Sequence, residues 1–140
     1  MVGQEFCSSN GLQLVYMLQV NTIVLIFSRR SMSTLASKHC VPCRGGTPAL
    51  KGVELDRLLR EIPHWQIVND HHITRTFVFP DFKHALVFTN QVGAVAEEEG
   101  HHPDILLAWG RVEVTLWTHA AKGLTESDFI LAAKINELMG

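Results

Sequence analysis

Apolar and polar positions in this chain alternate between a helical period and the two-residue period of strands, and the switches divide residues 50–140 into seven elements. Leu55, Leu58, Leu59 and Ile62 recur at helical spacing across Glu54 to Glu61, and Pro63 stops that helix. Trp65-Gln66-Ile67-Val68 reads as a short strand closed by an Asn69-Asp70 turn. From Ile73 to Phe79, Ile73, Arg75, Phe77 and Phe79 alternate with Thr74, Thr76 and Val78, a second strand. Pro80-Asp81 opens a long helix to about Glu99 with the stripe Phe82, Ala85, Leu86, Thr89, Val92 and Ala96, and Gly100 is its expected cap. Asp104 to Trp109 is a third strand, Gly110 a turn, and Arg111 to Thr118 a fourth strand with Val112, Val114 and Leu116 on one side. Thr125-Glu126-Ser127-Asp128 has the form of an acidic capping box, leading a last helix with Phe129, Ala132, Ala133, Ile135 and Leu138. The order α-β-β-α-β-β-α predicts an α+β domain, a four-stranded antiparallel sheet with helices on one face.

Two segments precede that domain. Leu12 to Phe27 is apolar but broken by Gln13, Gln19 and Asn21, too short and polar for a confident membrane span. Its arginines, Arg29 and Arg30, follow the apolar run, whereas a secretory signal carries its positive charge first. Residues 1–31 therefore read as an upstream start with Met32 as the true first residue, a weak targeting segment or a membrane anchor; the first is favoured and no membrane role is expected. Residues 32–49 form an irregular arm rich in glycine and proline. Within it Cys40-Val-Pro-Cys43 could be half a zinc site or a redox pair, yet His39 supplies only a poorly spaced third ligand and no βαβ pattern surrounds it. A structural arm is the favoured reading.

Composition narrows the function. With 140 residues the chain is long enough for one domain with a core, and 46% hydrophobic against 19% charged residues suits a soluble globular fold. A net charge of −2 offers no field for a nucleic-acid backbone. Three cysteines, Cys7, Cys40 and Cys43, do not make a disulfide framework, so a cytoplasmic location is expected. The eight histidines are the unusual feature, since imidazole exchanges protons near neutral pH.

His101 and His102 end the long helix, and His119 ends the fourth strand. His101 and His119 are equidistant from Gly110 along the chain, so a tight hairpin brings all three to one end of the sheet. Such a cluster suits acid–base elimination, in which an acid serves the departing oxygen and a base takes a proton from the neighbouring atom. Glu97 or Asp128 could orient a histidine. Zinc binding is the competing reading, weakened because adjacent histidines at a helix end do not readily converge on one ion. His71-His72 reads as a solvated turn. Glu97-Glu98-Glu99 opposes the helix dipole, which suggests that at least one of the three is placed for another purpose.

The stretch Glu97-Glu98-Glu99-Gly100-His101-His102-Pro103-Asp104, the strand Val112 to Leu116, Thr118-His119 and Gly123-Leu124-Thr125-Glu126-Ser127-Asp128 together resemble the signature of the pterin-4a-carbinolamine dehydratases. The resemblance spans about 50 to 139, and its several fixed offsets agree at once. It implies dehydration of a 4a-hydroxytetrahydropterin to quinonoid dihydropterin, recycling tetrahydropterin for aromatic amino acid hydroxylases. It also implies His101 and His119 as the proton-transfer pair, with His102, Glu97, Asp128 and Trp65 binding substrate or fixing the cluster. No metal and no organic cofactor are implied, and a homodimer or homotetramer is. The alternative is a non-enzymatic assembly or dimerisation partner on the same fold. Ile105, Trp109 and Trp117 depart from animal members, and Trp117, on the polar side of its strand, could mark a subunit contact.

Overall fold

The computed structural model describes residues 34–41 and 47–140; the readings of residues 1–31, Cys7 and Cys43 lie outside them. Helix α1 (Val53–Leu59) leads to strands β1 (Gln66–Val68) and β2 (His72–Val78), and helix α2 (Phe82–Glu99) to β3 (Asp104–Ala108) and β4 (Arg111–Leu116). A 3₁₀ turn (His119–Ala121) precedes helix α3 (Glu126–Glu137). The strands form one antiparallel sheet in the order β1-β2-β4-β3. This is the expected α+β arrangement. Its ladder register sets Ile73 opposite Leu116 and Asp104 opposite Thr115.

Alternation along β4 is complete: Val112, Val114 and Leu116 are fully buried while the residues between them are not. With Ile73 and Phe77 of β2, they meet Leu55 and Leu58 of α1, Ala85, Phe88 and Val92 of α2, and Phe129 to Ala133 with Ile135 of α3. Arg75 shares that inner face. Its guanidinium lies 4.3 Å from the Phe77 ring centre and donates to Asn136, so an ionic group is accommodated there by an aromatic face and an amide.

Three details differ from the sequence reading. Helix α1 ends at Leu59, because the N–H groups of Glu61 and Ile62 turn back to Leu58 and Leu59 before Pro63. The buried stripe of α2 is Ala85, Phe88, Val92 and Ala96; Phe88 packs on Phe77 and Phe79, leaving Phe82 and Leu86 exposed. Strand β4 stops at Leu116, since Thr118 leaves the ladder to pair with Gly123 and close the loop that carries His119. Gly110 makes the β3–β4 turn with φ of 65°, and a Cβ there would lie 2.7 Å from the Phe79 carbonyl oxygen. Glycine is required on both counts.

The described part of the arm contains no helix or strand, yet it is anchored. Leu35 is 1% exposed within the core, Thr34 donates to Glu61, and Lys38 pairs with Glu126.

Candidate active site

The C-terminal turn of α2 sets the direction of His101. Gly100 adopts the left-handed conformation with φ of 61°, and the His101 N–H bonds back to the Ala96 carbonyl. This closure ends the helix and turns the His101 ring toward the start of α3. There its Nε2 lies 2.7 Å from Oδ1 of Asp128, a residue with no solvent exposure.

Asp128 occupies the third position of α3, where a capping-box acid reaches back to the N-terminal cap. Its Oδ2 accepts the Thr125 N–H at 2.7 Å and the Thr118 hydroxyl at 2.9 Å, and the Thr118 and Thr125 hydroxyls are 2.9 Å apart. One carboxylate therefore starts a helix with one oxygen and holds a histidine with the other. Because a carboxylate accepts, His101 donates from Nε2, and in the neutral ring Nδ1 then keeps its lone pair.

His119 follows Thr118 directly in the chain, and the Thr118 hydroxyl shares the buried Asp128 carboxylate with His101. The His119 ring is exposed and stacks on the Trp117 indole at a centroid distance of 3.8 Å. His102 Nε2 meets Glu97 Oε1 at 2.8 Å, and both side chains are open to solvent. Thus Glu97 engages His102 and Asp128 engages His101, two carboxylate–histidine pairs one residue apart in the chain.

Trp65 stands apart from this group. Its indole is 4% exposed, donates to Asn136 Oδ1 at 2.8 Å, and meets Phe77 edge-on. It borders a hollow of about 720 Å³ with Leu55, Asp56, Ile67 and Asp70, and none of the three histidines lines that hollow. Among the described residues no three His, Cys, Asp or Glu side chains are grouped to hold a metal ion.

Two contributors were not foreseen. His71-His72, read as a solvated turn, is half-buried: the His71 ring lies 4.7 Å from Trp117, and the two Nδ1 atoms are 3.3 Å apart. The pairing of β2 with β4 brings this turn beside the end of β4. Glu99, the buried member of the glutamate run, is the second. Its side chain is 2% exposed and accepts from the Cys40 N–H at 2.7 Å, Lys134 Nζ at 2.8 Å and His39 Nδ1 at 3.2 Å. Burial pushes this carboxyl up, but the Lys134 ammonium and the Cys40 and His39 donors outweigh it and hold the pKa at about 2. The neighbouring Cys40 thiol is pushed up to about 12 by burial and by the Glu99 charge, which makes it a poor nucleophile. The thiol donates to the Ser127 carbonyl, next to Asp128.

The sequence profile of a family described as pterin 4 alpha carbinolamine dehydratase matches residues 48–138. A Rubrobacter xylanophilus protein that carries the family's name is 57% identical over 107 residues, covering 76% of this chain and all of the relative. One from Alkaliphilus metalliredigens is 50% identical over 107 residues, 76% of this chain and 96% of the relative. Among solved structures, a transcriptional coactivator/pterin dehydratase from Brucella melitensis superposes with a TM-score of 0.62 at 41% identity, over 65% of this chain and 98% of that one. With most of its length matched and its fold shared, the chain belongs to the pterin 4 alpha carbinolamine dehydratase family, a family of hydro-lyases.

Proposed function

We propose that this chain dehydrates a 4a-hydroxytetrahydropterin to quinonoid dihydropterin and water, with His101 and His119 as the proton-transfer pair. The carbon–oxygen bond of the carbinolamine breaks as an imidazolium protonates the departing hydroxyl. The ring nitrogen beside it gives its proton to the second imidazole, and the nitrogen's electrons form the new C=N bond. Protons balance between the two histidines, and the substrate's own nitrogen supplies the electron push. His102, held by Glu97, would contact the pterin, while Asp128 orients His101. The packing of Trp65 supports a core role, so it is left out of the groups that touch substrate.

The observation that carries this reading is the buried Asp128 joining His101 to Thr118 beside His119. It supplies one condition of general acid–base catalysis, an imidazole of fixed orientation, and the chain runs on from Thr118 into the second histidine. Decay of the 4a-hydroxytetrahydropterin is the test, with wild type, His101→Ala and His119→Ala compared. Each substitution is expected to cost about 10²-fold or more, and wild-type rates in both variants would end the proposal. Activity is also expected to survive a strong chelator; sensitivity would restore the zinc reading.

A homodimer or homotetramer accords with the open outer edge of β3 and the half-exposed Leu106 on it; sedimentation velocity measures it. One observation favours a second, non-enzymatic role as an assembly or dimerisation partner: the Brucella protein's name joins coactivator to dehydratase. Recovery of a complex from chains carrying His101→Ala would separate that role from catalysis.

A further inference from the structure

We infer that Trp117 is a positioning residue for His119. The inference rests on the acid–base reading above and adds a residue to it. Trp117 contacts three separate segments of the chain. Its indole face stacks on His119, with ring planes 29° apart at 3.8 Å between centroids. Its Nε1–H points to Asp104 Oδ2 at 3.4 Å, and Asp104 begins β3 directly after His101-His102-Pro103. The ring of His71, from the β1–β2 turn, lies 4.7 Å away. Trp117 thus touches the His119 loop, the segment leaving His102, and the neighbouring hairpin turn.

His119 needs such a support. It is exposed, it lies in a short 3₁₀ turn beyond the last ladder pair of β4, and among the described residues its ring makes no hydrogen bond, the Oδ1 of Asp128 being engaged by His101. An unsupported exposed imidazole samples several rotamers, and each excursion removes it from the reacting atoms. A flat indole against its face limits those excursions. The role acts on the bond-breaking step more than on substrate affinity, so it belongs in kcat.

The test uses the full chain carrying Trp117→Leu, which keeps an apolar side chain but removes the aromatic face, and Trp117→Phe, which keeps a face, each in wild-type and His119→Ala backgrounds. With His119 present, Trp117→Leu is expected to lower kcat about 5- to 30-fold with KM within about 3-fold, and Trp117→Phe to recover most of the loss. With His119→Ala, the Leu substitution should change kcat less than about 2-fold, because its effect passes through the missing ring. Equal losses in both backgrounds would overturn the inference, as would an unchanged kcat in Trp117→Leu. A loss traced by sedimentation to altered assembly would overturn it too, in favour of a subunit contact. Wild-type activity in His119→Ala would strike the acid–base reading itself, a different failure from an inert Trp117 beside an essential His119.

Discussion

Asp128→Asn separates the two duties of one buried side chain. The Oδ2 side of Asp128 faces the Thr125 N–H and the Thr118 hydroxyl, whereas the Oδ1 side faces only the His101 ring nitrogen. An asparagine keeps its carbonyl where donors are most numerous, so its NH₂ group turns toward His101. Two N–H groups then oppose each other unless His101 shifts its proton to Nδ1. The cap survives, so stability should fall by only about 1–2 kcal/mol. Activity should fall about 10²–10⁴-fold, the range expected when an imidazole is held in the wrong tautomer. Asp128→Ala is the contrast. It takes the carboxylate away from the Thr125 N–H, the Thr118 hydroxyl and the His101 ring and removes one arm of the capping box, costing about 2–4 kcal/mol, a large share of the ~5–15 kcal/mol that holds a domain together. The assay pairs thermal melts with carbinolamine decay. An Asn variant that melts near wild type and turns over within about 3-fold of it would refute the reasoning.

Further expectations concern the frame around the site. Gly110→Ala forces a side chain toward the Phe79 carbonyl at a positive φ and should cost about 1–3 kcal/mol; an unchanged melting temperature would count against the turn geometry. Glu99→Gln should destabilise the chain by about 1–3 kcal/mol at neutral pH. The Glu99 carboxyl sits at about 2 against an ordinary 4.5, so its stabilisation is complete above about 4.5 and lost as pH falls toward 2. Denaturant titrations across that window should show the wild type and the Gln variant converging, and a constant gap would contradict the assignment. Leu35→Ala, at a site 1% exposed, should cost about 2–4 kcal/mol; melts that match wild type would mean that the arm is not part of the core.

What could be read from sequence was local. The alternation of Val112, Val114 and Leu116 and the Thr125–Asp128 cap each lie within a few residues, so periodicity and capping rules reached them. Sequence offers Glu97 or Asp128 as the carboxylate that orients a histidine, but which carboxylate meets which ring depends on the contact of two helix ends, a packing fact that no local pattern contains. The link between His71 and Trp117 escaped for a similar reason. Hairpins pair β1 with β2 and β3 with β4, whereas β2 beside β4 is a choice of sheet order that alternation leaves open. The misfit of three glutamates with the helix dipole did point to a special role. Which one of them carried it depended on where the arm lies, and the arm has no periodicity to read. Trp65, expected near the pterin, is buried against Phe77 and Asn136, as a large ring between sheet and helix commonly is.

The seat that Glu99 makes for Cys40 lies upstream of the span shared with the family profile, which opens at residue 48. Trimming the chain to that span would take away the Cys40 amide and the His39 ring together, and leave Lys134 to balance a carboxylate newly opened to water. The Cys40 thiol and the Val41 carbonyl would also release Ser127, whose next neighbour is Asp128. A shortened protein would keep every histidine and still begin its last helix on looser ground.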